Sequence, residues 1–366
     1  MYISLFFFDR SGMSMQVSLL FLQDFEKLKF INFSKCQSLV CSPDLSYIPN
    51  LEELNFYMCK NLERVHASIA KHCKLRELNL EGCHLSEVEF LENLSCPRLF
   101  ILKLYGNNFT TLPTLERLND LEELEVSDCQ QLQEIPKIPA KLRRLKGNNC
   151  KSLTRIPCNI CDVGDVELYS SRDQELVHNG FPVNDLFMPE KFHCQPNHRV
   201  VLSGGEMPKW LLPNKEGYIS FVASKDLYEK ILGVAFCVVF QVVHRSREST
   251  SFEVIGSVNC KAAIHRKYFK FFDLDNVWLE YMELKDLWTV DHFSPNDLTR
   301  FRISIRVCNY HELLVKKCGF RLICKPLEND IKVLLQDDQL LDPALFYEVS
   351  HEDNPMSTKR KRIEHG

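Results

Sequence analysis

Along the first half of the chain, apolar and polar residues recur in one repeated phrase. Six segments begin at Leu28, Leu51, Leu75, Leu99, Leu121 and Leu142, spaced 23, 24, 24, 22 and 21 residues apart. They read LKFINFSKC, LEELNFYMC, LRELNLEGC, LFILKLYGN, LEELEVSDC and LRRLKGNNC, with apolar residues at positions one, four and six; only Gly147 breaks the apolar sixth position. This alternation predicts a short strand whose residues at four and six, such as Leu54 and Phe56 or Leu78 and Leu80, point inward while their neighbours face out. One such unit cannot cover its own apolar side. The constant phase therefore predicts parallel strands stacked in register at 28–33, 51–56, 75–80, 99–104, 121–126 and, less regularly, 142–146.

The phrase resembles L-x-x-L-x-L-x-x-N/C, the leucine-rich repeat, which implies an α/β solenoid curved into a horseshoe with parallel strands on its inner, concave face. Its ninth position holds Cys36, Cys59, Cys83, Asn107, Cys129 and Cys150. There the chain turns out of the sheet and leaves backbone groups needing buried donors. An Asn amide supplies them, and a Cys thiol supplies them weakly while packing as a small hydrophobe. A packing role for these cysteines is preferred over a metal or redox role. The second halves carry Leu112-Pro113, Ile135-Pro136 and Ile156-Pro157, and proline favours an extended or single-turn return over a full helix.

The compact, proline-marked return, with PDLSYIPNLEEL at 43–54 and LERVHASIAKHCKLRELNL at 62–80, is similar to the repeats of plant TIR-type nucleotide-binding leucine-rich-repeat receptors. After Pro157 the period stops. From Arg199 the chain alternates in short β-rich runs, RVVLSGGEMPKWLLPN, YISFVASKDL, ILGVAFCVVFQVV, SFEVIGSVNC, NVWLEYMEL, FRISIRV and FRLICK, which predict two antiparallel sheets around 231–240. The ordered blocks VVLSGGEMPKW, GYISF, LGVAFCVVF, VWLEY and VKKCGFRLICK resemble the all-β jelly-roll and Ig-like domain that follows the repeats in those receptors. Ser203-Gly204-Gly205 departs from the Pro-Gly more usual there, and the glycines still supply a turn. Trp210, Trp278 and Trp288 are read as core residues ahead of ligand-facing ones. The resulting division is an irregular or truncated first repeat at 1–27, repeats at 28–157, a linker at 158–198, the β-sandwich at 199–325 and a disordered tail at 326–366.

Composition narrows the chemistry. The chain has 366 residues, is 45% hydrophobic and carries a formal net charge of −4, so overall charge draws it neither to nucleic acid nor to a membrane. Sixteen cysteines spread over this length without a dense framework point to a reducing compartment, read as cytoplasmic. The run Ile3 to Phe8 is too short for a membrane span, and the basic run Lys359 to Arg362 is a weak signal for nuclear import. Cys158-Asn-Ile-Cys161 with His193, Cys194 and His198 lacks a second ligand pair of usual zinc spacing, so ordinary linker residues are preferred. No G-x-x-x-x-G-K-[ST], G-x-S-x-G or H-E-x-x-H motif occurs, so no cofactor, metal or small-molecule substrate is expected and an enzyme is disfavoured.

The family resemblance implies a protein-recognition module of an intracellular immune receptor that binds a pathogen effector. It also implies upstream TIR and nucleotide-binding domains, which this sequence lacks, so receptor oligomerisation would need a longer form. An adaptor or decoy for a resident host protein is the alternative. The repeats place Glu53, Asn55, Tyr57, Met58, Glu77, Asn79, Glu81, Lys103, Tyr105, Glu123, Glu125, Asp128, Arg144 and Lys146 at displayed positions, with Tyr57 and Tyr105 as the best anchors. Register predicts ion pairs Glu122 to Arg143, Glu123 to Arg144 and Glu125 to Lys146, read first as exposed pairs that hold register and solubility; the sharper alternative is that they neutralise that part of the face and leave Glu53 and Glu77 unpaired beside the tyrosines to attract a basic ligand.

Overall fold

The computed structural model describes residues 2–4, 25–94, 96–157, 159–168, 198–203, 206–215, 217–223, 225–229, 231–242, 250–258, 261–269, 275–288, 299–308 and 313–324. The chain divides into two compact units, Met1–Phe181 and Pro182–Gly366.

In the first unit each repeat contributes one three-residue strand: β2 (Phe30–Asn32), β3 (Glu53–Asn55), β4 (Glu77–Asn79), β5 (Ile101–Lys103), β6 (Glu123–Glu125) and β7 (Arg144–Lys146). All pair in parallel with the leucine phase kept, so that Leu54 stands opposite Leu78 and Leu124 opposite Leu145. The strands are shorter than the alternation suggested because the chain is already turning by position seven. Interstrand bonding nevertheless continues through that turn: the Phe56 N–H donates to Asn79 O at 2.8 Å and the Met58 N–H to Glu81 O at 2.7 Å. The turn has one backbone signature. Position eight is left-handed in all six repeats, with φ between 58° and 67° at Lys35, Met58, Gly82, Gly106, Asp128 and Asn149. Glycine takes this conformation without strain, and Asp and Asn tolerate it.

The array extends beyond the six repeated phrases at both ends. Strand β1 (Tyr2–Ser4) pairs in parallel with β2, inside the stretch read as irregular, and β8 (Asp165–Leu168) pairs with β7, inside the stretch read as linker. Gly147 explains part of this. A Cβ on Gly147 would lie 2.6 Å from Cδ2 of Leu168, so the missing side chain makes room for the next strand's inward leucine.

An α/β solenoid was the expectation, but the described solenoid residues form strands, extended returns and 3-10 turns, with no α-helix. The 3-10 turns are Phe25–Lys27, Ala67–Lys71, Glu89–Leu91 and Ile160–Asp162. The later returns instead form a minor parallel ladder, with bridges Thr111 to Glu134 and Glu134 to Arg155 immediately ahead of Leu112-Pro113, Ile135-Pro136 and Ile156-Pro157. Proline lacks the N–H a helix needs and pushes the preceding residue toward extended backbone, so the short returns run straight.

The second unit holds two antiparallel sheets. One runs in the order β9 (Arg199–Ser203), β15 (Asp275–Glu283), β12 (Ile231–Val242), β17 (Leu313–Cys324), β10 (Leu212–Asn214). The other runs β11 (Tyr218–Ala223), β16 (Thr299–Val307), β13 (Thr250–Val258), β14 (Lys261–Phe269). Their facing sides share an aromatic core: Phe252 of β13 lies 5.1 Å from Phe240 of β12 and 5.2 Å from Trp278 of β15. Trp278 is fully buried, and its indole N–H donates to the buried Glu280 at 2.9 Å, while Lys267 of β14 reaches the same carboxylate at 2.5 Å. A buried indole and a buried carboxylate thus satisfy each other. Trp288 is also buried, and Trp210 is half-buried. Strand β14 was not among the expected strands. Its exposed KAAIHRKYF pattern has no clean apolar alternation, and register with β13 makes it a strand.

Candidate protein-docking face

The strand-bearing face of the repeats is a grid. Position three supplies Phe30, Glu53, Glu77, Ile101, Glu123, Arg144 and Asp165; position five supplies Asn32, Asn55, Asn79, Lys103, Glu125, Lys146 and Glu167. Position seven follows with Ser34, Tyr57, Glu81, Tyr105, Ser127 and Asn148, and Met58 and Asp128 stand at position eight. The inward residues at one, four and six are buried throughout, which holds these rows at strand spacing.

Beneath the turn, position nine locks each repeat to the one before it. The thiols donate to the position-six carbonyl of the preceding repeat: Cys59 to Phe33 at 3.0 Å, Cys83 to Phe56 at 3.1 Å, Cys129 to Leu104 at 3.2 Å and Cys150 to Val126 at 3.1 Å. Asn107 makes the same bond to Leu80 O at 2.9 Å, adds one to Leu104 O at 2.8 Å, and accepts from the Leu85 N–H at 2.9 Å. Burial pushes Cys59 up to about 11 and Cys83 and Cys129 up to about 12, so these thiols stay protonated.

Not every displayed position is free to meet a ligand. The Asn55 side chain accepts from the Tyr57 N–H at 2.8 Å, Asn79 accepts from Glu81 N–H at 3.0 Å, and Glu125 accepts from Ser127 N–H at 3.1 Å. Position five therefore caps the turn into position seven. Asn79 is buried, and Asn55 and Glu125 are half-buried. Burial pushes the Glu125 carboxyl up, against the hydrogen bonds from Ser127 and the charge of Lys146. Glu53, Tyr57, Tyr105 and Arg144 are exposed; Met58, Glu77, Glu81, Lys103, Glu123, Asp128 and Lys146 are half-buried.

The register brings the expected ion pairs together: Arg143 to Glu122 at 3.6 Å, Arg144 to Glu123 at 3.3 Å and Lys146 to Glu125 at 3.9 Å. Arg144 also reaches Asp165 of β8 at 3.2 Å. That partner was missed because 158–198 carries no repeat phrase. The expectation of an unpaired Glu77 is corrected: Lys103, one strand on and one row across, binds it at 2.7 Å. Burial opposes the Lys103 charge, yet the hydrogen bond and charge of Glu77 outweigh it and raise the ammonium pKa. Glu53 does lack an ion pair among the described residues, and desolvation and then the charge of Glu77 push its carboxyl up. The tyrosines stand in another row, at position seven, where they flank Glu81 instead of Glu53 and Glu77.

This geometry is that of a leucine-rich-repeat solenoid. Over 89 residues the chain is 35% identical to TMV resistance protein N of Nicotiana glutinosa, a match covering 22% of this chain. The similarity is to a plant resistance protein. The match covers 8% of that protein's length. No protein-family model matches. Among solved structures, the leucine-rich-repeat domain of the type III effector XopL aligns with TM-score 0.31 and 21% identity, covering 42% of this chain and 64% of that one. An internalin C2 of Listeria monocytogenes aligns with TM-score 0.27 and 16% identity, covering 43% and 79%. Among the described residues no helix is long and apolar enough to cross a membrane, and no His, Cys, Asp and Glu group is placed to hold a metal. The Cys158 to His198 set and the basic run at 359–362 lie largely or wholly outside the described residues.

Proposed function

We propose that this chain is the protein-recognition part of a plant intracellular immune receptor, binding a pathogen effector through the strand-bearing face of its repeats together with the second unit. The observation that carries this reading is the grid itself. Fixed register holds exposed Tyr57 and Tyr105 among charged side chains on a rigid scaffold, a combination suited to a flat protein surface rather than to a small molecule. Two antiparallel sheets sharing aromatic rings support reading the second unit as the jelly-roll and Ig-like domain expected after the repeats. The proposed role is binding without catalysis, in the cytoplasm, with no cofactor.

The test is capture by the tagged chain from infected and uninfected plant tissue, beside a Tyr57→Ala/Tyr105→Ala variant. The expected result is a foreign protein recovered by the wild type, from infected tissue, and lost with the variant. Recovery of one host protein from both tissues would reject effector sensing in favour of an adaptor or decoy.

A further inference from the structure

Several carboxylates on the repeat face already own a cation. Glu77 has Lys103, Glu123 and Asp165 share Arg144, and Glu125 has Lys146. Glu81 does not. Its carboxylate accepts from the neutral Asn79 amide at 3.4 Å and feels the charge of Lys103, and among the described residues it has no ion pair. Its neighbours in the row are the two exposed tyrosines, Tyr57 on the strand before and Tyr105 on the strand after, at 38% and 42% exposure. The backbone ties the three together, since the Met58 N–H donates to Glu81 O and the Gly82 N–H to Tyr105 O, both at 2.7 Å.

Row spacing sets the separation of the two rings. Three adjacent parallel strands put the two tyrosine backbones about 9.6 Å apart, at about 4.8 Å per strand. A flat group in contact with both rings needs about 7 Å, so modest convergence of the side chains closes on it. Position eight contributes Gly82 and Gly106, and the Met58 side chain lies over Gly82, its Sδ 2.6 Å from where a Cβ would stand, so a thioether walls the row on that side. Tyr105 stands beside Asp128, which is itself held by Asn149.

We infer that Tyr57, Glu81 and Tyr105 form a receptor for one arginine side chain of the protein partner. The guanidinium lies flat between the rings, and its N–H edge meets the Glu81 carboxylate. Arginine fits better than lysine because a planar, weakly hydrated cation stacks on two faces and still donates two parallel hydrogen bonds. This rests on the repeat face being the docking surface and adds the chemistry of its anchor.

The test uses the full chain and three capped pentapeptides, Gly-Gly-X-Gly-Gly with X as Arg, Lys or Gln, titrated by NMR. The Arg peptide should bind at least about fivefold tighter than the Lys peptide, with no binding by Gln. Glu81→Gln should weaken Arg binding about tenfold or more, Tyr57→Ala and Tyr105→Ala should each weaken it, and Glu89→Gln, on an exposed 3-10 turn away from these rows, should leave it unchanged. Equal binding of Arg and Lys peptides, or full binding by Glu81→Gln, would overturn the slot and leave only diffuse charge attraction. Capture of a protein partner is scored separately: a partner lost with Tyr57→Ala/Tyr105→Ala but kept with Glu81→Gln rejects the arginine slot while the docking face stands.

Discussion

Gly147 and Leu168 fit each other: the glycine lacks the one carbon that would collide with the leucine, 2.6 Å from its Cδ2. Val126 and Ile135 side chains line the same site at 3.5 and 3.6 Å, so an added methyl has nowhere to move. Gly147→Ala should destabilise the repeat array by about 1–3 kcal/mol through overpacking. Urea unfolding would measure it, and Leu168→Ala added to the same chain should recover part of the loss. An additive double variant would mean the two residues do not share the space.

The thiol ladder makes a second prediction. Cys83→Ser should cost about 1–3 kcal/mol, because a hydroxyl fills the apolar slot less well and demands a stronger bond than the Phe56 carbonyl geometry provides. Native Cys59 and Cys83 should resist a thiol reagent that modifies the exposed Cys73 quickly. Mass spectrometry of the labelled native chain reads this directly, and early modification of Cys59 would place it outside the core.

Alkaline pH should act through the same residues. Their folded pKa values are raised, to about 11 at Cys59 and about 12 at Cys83 and Cys129, from an ordinary 9.0. As pH climbs, the unfolded chain therefore loses these protons first. The thiol contribution is present in full below about 9 and is lost as pH rises from there towards about 12. The melting temperature should fall as pH rises from about 9 towards about 12, and less steeply in a Cys83→Ala/Cys129→Ala chain. Parallel curves would assign the fall to other groups.

Lys103 tempers the face near its centre. Its bond to Glu77 joins two half-buried side chains, and losing it should cost about 1 kcal/mol or less. Lys103→Gln should have a larger effect on kinetics, speeding association with a basic peptide and steepening its salt dependence. Stopped-flow rates at two ionic strengths test this; unchanged rates would show that the face does not steer its ligand.

The repeats were legible because their signal is redundant. Leucines at one, four and six fix phase, and once phase is fixed the register of Glu123 with Arg144 and of Glu125 with Lys146 follows. Strand β8 was not legible, since DVEL carries only the inner half of the phrase and the compensating clue, Gly147, lies a repeat earlier. The Glu77 to Lys103 pair crosses from row three to row five, and same-row reasoning could not find it. The left-handed position eight was hidden too. Gly82, Gly106, Asp128 and Asn149 suit that backbone, but Lys35 and Met58 do not announce it. The second unit's central strand was evident from its unbroken apolar run, whereas β14 owes its form to pairing alone.

The ladder at position nine also gives the array a keystone. Cys59, Cys83, Cys129 and Cys150 each reach back to the preceding repeat with a weak donor, so peeling away an outer repeat strands little more than an S–H group. Asn107 is different, because its amide holds Leu80 and Leu104 while its oxygen holds Leu85, and breaking it orphans strong groups on both sides. Fraying should therefore start from the ends and stall at the repeats meeting at Asn107. The slowest-exchanging amides would lie around Leu80 to Asn107, the stretch whose outer surface carries Glu81 and Tyr105.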